Sequence, residues 1–400
     1  MISVKEAERL IFEAMPDFGT ESIPAHLATG RILAESIVAE RDQPPFDRVT
    51  MDGVAIRWQE NLTTWTITDT QLAGESPKTL AAPDHAIEIM TGAALCDDAD
   101  TVIPVERYQI ETINGQSRLT LETGYQPSHG QNIHKAGSDH AAGTTLLTPG
   151  MRIGGIESAI IASAGHTDVL VKLQPSIAVI ATGDELVPPG QPIEPHQIRL
   201  SNGPALLTAL RSHGFSDVSL HHLPDSKAGL QKSLAEILNE NEVLVLSGGV
   251  SKGKADFVPE ILNMLGVKKH FHFVAQRPGK PMWFGTGEQR QAVFALPGNP
   301  VSTLSCFRRY VVPALERANG MNARGPSTVK LATDWHFKPA LTALVPAMLQ
   351  PDNAGQMWAT PLSTNTSGDF AALAYTDGLI ELPPKRKDFA CGEAFPFFYW

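Results

Sequence analysis

The segment VLVLSGGVS (243–251) is an apolar run that breaks into a turn with two adjacent glycines. Two further turns follow within the stretch 243–302, RPGKP at 277–281 and LPGNPVS at 296–302, each after an extended hydrophobic segment. Glycine- and proline-rich turns at the carboxyl ends of parallel strands present backbone N–H groups that bind anions. The stretch 243–302 therefore predicts an α/β fold with an anion-binding cleft at one edge of the sheet.

Strand-like and helix-like segments alternate from Ser176 to about Gly320. Such alternation predicts a parallel or mostly parallel sheet with helices on both faces. We predict strands at 177–180, 218–222, 243–246, 270–275 and 292–296. We predict helices at 203–213, 230–239, 257–265 and 301–318.

The flanking regions follow other patterns. Apolar residues at helical spacing predict helices near 4–14 and 25–39. From Trp58 to about Gly130 polar and apolar residues alternate, and Asn114-Gly115 between two such runs predicts a β-hairpin. We predict four domains, namely a helical and linker domain from 1–43 and 131–171, an inserted small β domain at 44–130, an α/β domain at 172–320 and a C-terminal β domain at 321–400.

The chain has the composition of an ordinary soluble globular protein, with 42% hydrophobic and 19% charged residues among 400. No apolar run approaches the roughly 20 residues of a membrane span, and the N-terminus lacks the pattern of a secretory signal. Three scattered cysteines predict neither a disulfide framework nor a zinc site. The net charge of −11 argues against nonspecific nucleic-acid binding. We therefore expect a cytoplasmic protein, without a membrane or nucleic-acid partner, that binds anions in a local basic pocket.

Thr182, Gly183, Asp184 and Glu185 form the turn after the first strand of the α/β region. A glycine lets the backbone approach a ligand, and two consecutive carboxylates suit a cation. An ordinary turn with a cap explains the same residues about equally well. Both interpretations stay open on the sequence alone.

Ser247, Gly248, Gly249 and Ser251 form the next turn of this kind. Two adjacent glycines permit positive φ angles and present consecutive N–H groups to phosphate oxygens, and the serines add donors. The pattern is neither a Walker loop nor a dinucleotide-binding Gly-x-Gly-x-x-Gly, which disfavours a nucleotide hydrolase or a dehydrogenase. A tight strand-to-helix connection is the alternative. Asp256 lies at the start of the following helix, where an N-cap acid is common.

The last two turns combine fixed cations with a helix start. Two prolines and a glycine stiffen 277–281, so Arg277 and Lys280 have little entropy left to lose when they bind a phosphate or an oxyanion. The turn before the last helix presents N–H groups to a ligand, or it is a plain helix start. Its candidate residues are Pro297, Gly298, Asn299, Pro300 and Ser302.

Six motifs in this order resemble the molybdopterin molybdotransferase family, which includes the bacterial MoeA proteins and the E-domain of gephyrin. The match extends over nearly the whole chain. The motifs are Met51-Asp52-Gly53, Met90-Thr91-Gly92-Ala93, Thr182-Gly183-Asp184-Glu185-Leu186, Ser247-Gly248-Gly249-Val250-Ser251, Pro278-Gly279-Lys280-Pro281 and Leu296-Pro297-Gly298-Asn299-Pro300-Val301-Ser302. Each motif alone is weak evidence, whereas six in sequence are strong evidence.

The resemblance implies an elongated multi-domain homodimer with a molybdopterin-binding α/β domain at 172–320 and a C-terminal β-barrel. It implies an enzyme that inserts molybdate into adenylylated molybdopterin with release of AMP, assisted by Mg²⁺, and a molybdopterin adenylyltransferase as a further partner. The implied catalytic residues are Asp52, Glu185, Asp225, Asp256 and Lys280, of which Glu185 and Asp256 bind the metal. The implied substrate-binding residues are Thr91, Thr182, Gly183, Asp184, Ser247, Gly248, Gly249, Ser251, Arg277, Pro297, Gly298, Asn299, Pro300 and Ser302.

Five positions differ from the residues that this family often has. This chain has Arg277 where the family often has lysine, Lys254 where it has glutamate, Leu200 where it has aspartate, Val54 where it has tyrosine and His134 where it has arginine. Arg277 keeps its charge but binds an oxyanion as a planar fork, and Lys254 reverses a charge beside the double-glycine turn. Two alternatives therefore stay open, a non-catalytic pterin-binding paralogue or scaffold, and a molybdopterin adenylyltransferase. The large flanking β regions favour molybdate insertion over adenylylation.

Overall fold

The computed structural model describes residues 1–250, 256–322, 325–363, 366 and 368–400. These residues form two compact units. The larger unit contains Met1–Ala34, Pro149–Gly154 and Val169–Trp400, and the smaller unit contains Glu35–Thr148 and Gly155–Asp168. The four-domain division predicted from the sequence stays a prediction.

The helices and strands are numbered in chain order. The α-helices are α1 (Val4–Ala14), α2 (Gly155–Ser163), α3 (Asn202–Ser212), α4 (Lys227–Glu240), α5 (Val258–Met264), α6 (Pro300–Cys306) and α7 (Val312–Ala318). A π-helical turn, Phe307–Val311, joins α6 to α7, and 3-10 turns lie at Ala25–Leu27, Val105–Arg107 and Ala371–Tyr375.

The strands before α2 are β1 (Thr20–Pro24), β2 (Ile37–Val38), β3 (Arg48–Val49), β4 (Gly53–Ile56), β5 (Thr64–Gln71), β6 (His85–Ile89), β7 (Thr101–Pro104), β8 (Tyr108–Ile113), β9 (Gln116–Leu121), β10 (Ile133–His134) and β11 (Thr145–Leu147). The strands between α2 and α6 are β12 (Asp168–Lys172), β13 (Ile177–Thr182), β14 (Leu186–Val187), β15 (Ile198–Arg199), β16 (Val218–Leu223), β17 (Val243–Ser247), β18 (Lys268–His272), β19 (Gln276–Arg277), β20 (Trp283–Thr286) and β21 (Ala292–Leu296). The strands after α7 are β22 (Ser327–Leu331), β23 (Trp335–His336), β24 (Thr342–Pro351), β25 (Met357–Pro361), β26 (Gly378–Leu382), β27 (Asp388–Phe389) and β28 (Ala394–Tyr399).

A six-stranded sheet lies at the centre of the larger unit, in the order β16-β13-β17-β21-β20-β18. The first four strands run parallel, and β20 and β18 join antiparallel at one edge. Every residue of β13, β17 and β21 is buried, as expected for strands that are covered on both faces. The predicted mostly parallel sheet is confirmed, and it contains one strand, β20, that was not predicted.

Alternate residues of the central strands point into two separate cores. Val179 and Val245 pack in a core with residues of α1, α3 and α7. Ile180 and Leu246 point to the opposite face and pack with residues of α4 and α5. Each fully buried aliphatic side chain contributes roughly 1.5–3 kcal/mol. These two layers therefore fix the central strands firmly, and with them the turns at the strand ends.

The prediction of a helix at 25–39 is wrong. A 3-10 turn ends at Leu27, and Gly30 adopts a φ of 81° that ends any regular helix. Ile32 and Leu33 then form isolated bridges with distant parts of the larger unit. Pairing with distant backbone outweighs helical spacing here, and a local pattern does not register such pairing.

A β-barrel forms the C-terminal region. Its sheet has the order β19-β24-β25-β22-β28-β26, and an additional pairing of β24 with β26 closes the last five strands into a ring. The remaining strand, β19, lies outside the ring and pairs parallel with β24. This pairing attaches the 277–281 turn to the barrel. The predicted C-terminal β-barrel is confirmed.

The smaller unit contains a six-stranded sheet in the order β7-β4-β6-β5-β9-β8. Strands β8 and β9 form the predicted hairpin, and its turn residues Asn114 and Gly115 have φ angles of 52° and 80°. Two positive φ angles are typical of the tight turn that matches strand twist. Within the described ranges, no helix of either unit combines the length and hydrophobicity that a membrane crossing requires.

Candidate substrate site

Three parallel strands of the larger unit end side by side, because Ala181 pairs with Ser247 and Ser247 pairs with Leu296. The turns that follow β13, β17 and β21 therefore meet at the carboxyl edge of the sheet. They enclose a cavity of about 690 Å³, which we name the glycine cavity. The predicted residues that line it are Thr182, Gly183, Glu185, Asp225, Ser247, Gly248, Gly249, Asp256, Pro297, Gly298, Asn299 and Pro300.

The double-glycine turn leaves no room for side chains. Gly248 and Gly249 have φ angles of 104° and 66°. A Cβ on Gly248 would lie 2.9 Å from both the carbonyl oxygen and the hydroxyl oxygen of Thr182. That hydroxyl is buried and has no hydrogen-bond partner within the described part of the chain. Buried polar groups are nearly always paired, so this hydroxyl requires a partner other than the described residues, either a water molecule or a ligand.

Carboxylates gather at one side of the glycine cavity. The backbone N–H of Asp184 donates to Asp225 Oδ2 at 3.3 Å, and the N–H of Asp225 donates to Asp184 Oδ1 at 3.1 Å. Burial raises the pKa of Asp225, the hydrogen bond from Asp184 opposes that rise, and the charges of Glu185, Asp184 and Asp256 add to it. The site thus concentrates negative charge where the sequence predicted a cation.

The acids fit a magnesium ion that is held partly by its substrate. Carboxylate oxygens are the ligands that this hard cation prefers, and it is commonly bound by one or two carboxylates together with substrate phosphates. Among the described residues, no group of three acidic, histidine or cysteine side chains has the arrangement of a complete metal site. Glu185 and Asp256 both line the glycine cavity, where a bound phosphate would complete the coordination.

Asn202 also lines the glycine cavity, although the sequence did not predict it as a candidate site residue. It begins α3, and its Nδ2 group donates to Ser247 Oγ at 2.9 Å and to the carbonyl of Gly298 at 2.7 Å. One side chain thus connects the double-glycine turn with the turn before α6. In the sequence, Ser201-Asn202 looks like an ordinary helix start, and this explains why its role was hidden.

Arg277, Lys280 and Ser302 line a second cavity of about 810 Å³, which we name the cationic cavity. His336 and Lys338 from the C-terminal region also line this cavity. Arg277 and Lys280 are both exposed, and neither forms an ion pair with a described residue. Their charges are therefore available to an anion in the cavity.

The two cavities adjoin, because Pro281 and Asn299 line both of them. The sequence predicted a single anion-binding cleft, whereas the structure distributes the residues of that cleft over two cavities. The pairing of β19 with β24 is the reason, since it turns the 277–281 segment toward the barrel. Arg277 and Lys280 accordingly face a different space from the glycines and acids.

Asp52 and Thr91 lie together in the smaller unit. Asp52 precedes β4, Thr91 follows β6, and these two strands pair antiparallel. The N–H and the hydroxyl of Thr91 donate to Asp52 Oδ1 at 2.6 and 2.7 Å. These hydrogen bonds hold the pKa of the exposed Asp52 carboxyl below its usual value. Two motifs that are distant in sequence thus form one hydrogen-bonded pair.

The positions that depart from the family pattern have different surroundings. Leu200 is buried and lines the glycine cavity. Val54 is fully buried in β4, and His134 lies in β10 of the smaller unit. Ser251 and Lys254 lie outside the described residues.

Comparison with known proteins accounts for most of the chain. The family model described as the MoeA N-terminal region (domain I and II) matches residues 2–165, the "Probable molybdopterin binding domain" matches residues 178–317, and the MoeA C-terminal region (domain IV) matches residues 328–400. A molybdopterin molybdenumtransferase of Synechocystis sp. is 40% identical over 404 residues, which is 100% of both chains. The chain belongs to the molybdopterin molybdenumtransferase family.

Further relatives agree with this assignment. A molybdopterin molybdenumtransferase of Staphylococcus epidermidis is 33% identical over 98% of this chain and 94% of its own length. The crystal structure of a molybdopterin biosynthesis MoeA protein from Pyrococcus horikosii covers 100% of this chain and 99% of that one, with 30% identity and a TM-score of 0.83. The family, the α/β plus β fold class and the transferase class expected from the sequence are confirmed. The roles assigned to single residues stay predictions.

Proposed function

We propose that this member of the molybdopterin molybdenumtransferase family inserts molybdate into adenylylated molybdopterin, releases AMP and thereby forms the molybdenum cofactor. The observation that supports this best is the adjoining pair of cavities that share Pro281 and Asn299. The reaction brings together two anions, a large pterin nucleotide and a small oxyanion. The glycine cavity, at about 690 Å³, lies in the size range of small-molecule sites. The neighbouring cations suit an oxyanion.

The adenylylated pterin binds in the glycine cavity. Backbone N–H groups of Gly249, Gly298 and Asn299 donate to its phosphate oxygens. Gly248 contributes less, because its N–H already donates to the carbonyl of Leu296 at 3.2 Å. Thr182 also lines this cavity, and the family resemblance assigns it to substrate binding.

The acids of the glycine cavity act at the phosphoanhydride bond. Glu185 and Asp256 would hold Mg²⁺, which when bound would neutralise charge on the phosphate oxygens. Asp225 accepts a proton from the water that attacks the adenylate phosphorus. The bond from this phosphorus to the bridging oxygen breaks, the molybdopterin phosphate leaves with that oxygen, and AMP is released with the oxygen of the water. The raised pKa of Asp225 suits this role, because a more basic carboxylate is a better proton acceptor.

The cationic cavity holds molybdate. Arg277 binds two of its oxygens as a fork, Lys280 binds a third as a point charge, and Ser302 adds a hydroxyl donor. These cations offset the repulsion between the oxyanion and the neighbouring pterin phosphate. The pterin dithiolene supplies the sulfur ligands of molybdenum. Burial raises the pKa of the nearby Cys306 thiol to about 12, so this thiol stays protonated and does not compete for the metal.

The remaining parts of the proposal come from the family resemblance. They are a cytoplasmic homodimer, substrate delivery by a molybdopterin adenylyltransferase, and roles for Asp52 and Thr91 in the reaction. The match of the Synechocystis sp. relative over 100% of both chains supports carrying these features over together.

AMP release tests the proposal directly. Purified protein supplied with adenylyl-molybdopterin, molybdate and Mg²⁺ is expected to release AMP in proportion to the cofactor formed, and to release little when molybdate is omitted. Absence of AMP release at saturating molybdate and Mg²⁺ would refute the proposal. ATP consumption with free molybdopterin would instead identify an adenylyltransferase.

Complementation separates an enzyme from a non-catalytic scaffold. The chain is expected to rescue a cell that lacks its own molybdotransferase. Asp256→Ala, and Lys280→Ala at limiting molybdate, are expected to abolish rescue while the purified variants stay folded. Failure of the unaltered chain to rescue, despite normal folding and dimerisation, would support the pterin-binding scaffold. Running the assay with molybdate and with tungstate also shows which oxyanion is used.

A further inference from the structure

A buried chain of polar groups lies beneath the turn that carries the two cations. Gln276 is fully buried, and its Nε2 group lies 3.3 Å from the carbonyl oxygen of Gly279 and 3.3 Å from Cys306 Sγ. Tyr310, also buried, forms a hydrogen bond with Gln276 Oε1. A carbonyl can only accept, so the amide nitrogen must face Gly279 and the amide oxygen must face Tyr310. The Tyr310 hydroxyl is therefore the donor, and both polar side-chain atoms of Gln276 have a partner.

The turn packs directly on this chain of groups. Gly279 has a φ of 85°, and a Cβ there would lie 2.3 Å from Cys306 Sγ and 2.8 Å from Gln276 Nε2. The start of the turn is held by the pairing of β19 with β24. Its end is held by the N–H of Val274, which donates to the carbonyl of Lys280 at 3.0 Å. Gln276 supports the middle of the turn, between these two anchors.

Tyr310 reaches Gln276 from the π-helical turn Phe307–Val311, where the sequence predicted a continuous helix. Pro313 explains the widened turn, because it has no N–H and its ring crowds the carbonyl of Arg309 one turn earlier. Arg309 is itself buried and pairs with Glu8 of α1 at 2.7 Å and with Glu381 of β26 at 2.6 Å. The π-helical turn is thus fixed to both α1 and the barrel. Such turns are frequent at functional sites.

We propose that Gln276 and Tyr310 are positioning residues that hold Arg277 and Lys280 in place for the oxyanion. Tyr310 does not line the cationic cavity, whereas Gln276 belongs to its lining as a fully buried, uncharged residue. Both act through the backbone of the turn. Cations that are already fixed lose little conformational entropy when they bind an anion. A loosened turn therefore lowers the affinity for the anion, although its charges remain. The inference rests on the proposed function of the cationic cavity.

Three variants and a matched control test the inference by steady-state AMP release. Tyr310→Phe and Gln276→Met are each expected to raise the KM for molybdate about tenfold, which is the effect of losing about 1.4 kcal/mol of binding. The KM for adenylyl-molybdopterin should stay within about twofold. In the double variant both polar partners are replaced by apolar groups, so the thermal midpoint should recover while the molybdate KM stays high.

The control is Gln291→Met, which removes another buried glutamine of the same unit. Gln291 Nε2 donates to the carbonyl of Leu238 at 3.0 Å, and Gln291 lines neither the glycine cavity nor the cationic cavity. It is expected to lower the thermal midpoint and to leave the molybdate KM unchanged. An equal rise of that KM in the control, or its return to normal in the double variant, would overturn the inference.

Hydrogen exchange measures the local stability of the 277–281 turn and does not depend on activity. Amide exchange in peptides covering 273–282 is expected to accelerate at least about tenfold in Tyr310→Phe and Gln276→Met, and to stay normal in Gln291→Met. Unchanged exchange in the first two variants would overturn the inference. If the unaltered protein releases no AMP, the proposed function fails, whereas the exchange experiment still decides whether these residues hold the turn.

Discussion

The glycine cavity and the cationic cavity adjoin, yet they are built in different ways. The first lies at the carboxyl ends of β13, β17 and β21, and it is lined mainly by backbone, hydroxyl and carboxylate groups, with Arg199 as a cation in its lining. The second lies where the 277–281 turn meets the barrel, and its ligand groups are cationic side chains. Both bind anions in the proposed reaction, but only the first also needs a metal ion.

This difference predicts different responses to substitution. A cavity formed by backbone depends on close contact between turns, so one added methyl group displaces several ligand groups at once. A cavity formed by side chains loses one charge at a time, while its backbone remains in place. A single substitution in the glycine cavity should therefore abolish most activity, whereas a single substitution in the cationic cavity should only lower the affinity for its anion.

Gly248→Ala is expected to have the largest effect. The added Cβ would meet two oxygens of Thr182 at 2.9 Å, and a φ of 104° is strained for alanine. Backbone strain of this kind costs about 1–3 kcal/mol, and the clash adds to it. We expect AMP release to fall at least about 100-fold and the thermal midpoint to drop. Gly355→Ala is the control, because Gly355 has a φ of 80° and open space around its Cβ. A mild Gly248→Ala phenotype would contradict the backbone-built cavity.

Lys280→Ala is expected to weaken molybdate binding by about 10- to 100-fold, the usual value of a charge-assisted hydrogen bond. The KM for molybdate should rise, and the KM for adenylyl-molybdopterin should change little, if the two cavities bind separate substrates. Lys280→Arg should recover most of the affinity. Lys268→Ala removes an exposed charge from the edge strand β18 and serves as the control for net charge. Equal changes in both KM values would contradict separate binding and would show that the two cavities act as one site.

Asp225→Asn is expected to lower kcat about tenfold, because the amide cannot accept a proton. The same change should raise the thermal midpoint at neutral pH in the absence of Mg²⁺. The charged form of Asp225 is disfavoured by burial and by the acids Glu185, Asp184 and Asp256. An unchanged midpoint together with an unchanged kcat would show that Asp225 neither accepts the proton nor is destabilised by the neighbouring acids.

The pH dependence of that stabilisation has a definite sign. The folded pKa of Asp225 is raised above the unfolded value of 3.8. The raised pKa therefore adds to the free energy of unfolding below pH 3.8, where Asp225 is protonated in both states. This stabilisation is lost as the pH rises through the folded pKa. The advantage of Asp225→Asn over the unaltered protein should therefore be largest at neutral pH and shrink on acidification. Midpoints measured by calorimetry between pH 7 and pH 4 check this order of stabilities.

Thiol alkylation should have the smallest effect on activity. Burial raises the pKa of Cys306 to about 12 and that of Cys96 to about 11, whereas Cys391 is exposed. Iodoacetamide at pH 8 is expected to label Cys391 alone, as followed by mass spectrometry, with AMP release retained. Labelling of Cys306 in the folded protein would show that the buried residues beneath the 277–281 turn become accessible to solvent.

Much of the fold could be predicted because it depends on local patterns. Apolar runs with β-branched residues predicted β13, β17 and β21, and Asn114-Gly115 predicted a hairpin that the structure contains. The helix predicted at 25–39 was wrong, because bridges from Ile32 and Leu33 to distant backbone replaced it. Strand β20 was missed because its position follows from pairing with β18 and β21.

The candidate site was predicted in part for the same reason. Glycine and proline requirements at 247–249 and 277–281 are visible in the chain itself, because they reflect φ angles and stiffness of single residues. The division into two cavities was not visible, since it follows from the pairing of β19 with a barrel strand. Asn202 and Tyr310 were also missed, because each acts through a hydrogen bond to a residue far along the chain.

Residue order alone was enough to establish the family, the alternation of strands and helices, and the turns able to bind anions. These features follow from backbone preferences and hydrophobic periodicity, which act over a few residues. Three-dimensional packing was needed to learn which anion-binding groups face the same space and which buried groups hold them there. Those relations arise from long-range pairing and burial, for which neighbouring residues in the chain contain no signal.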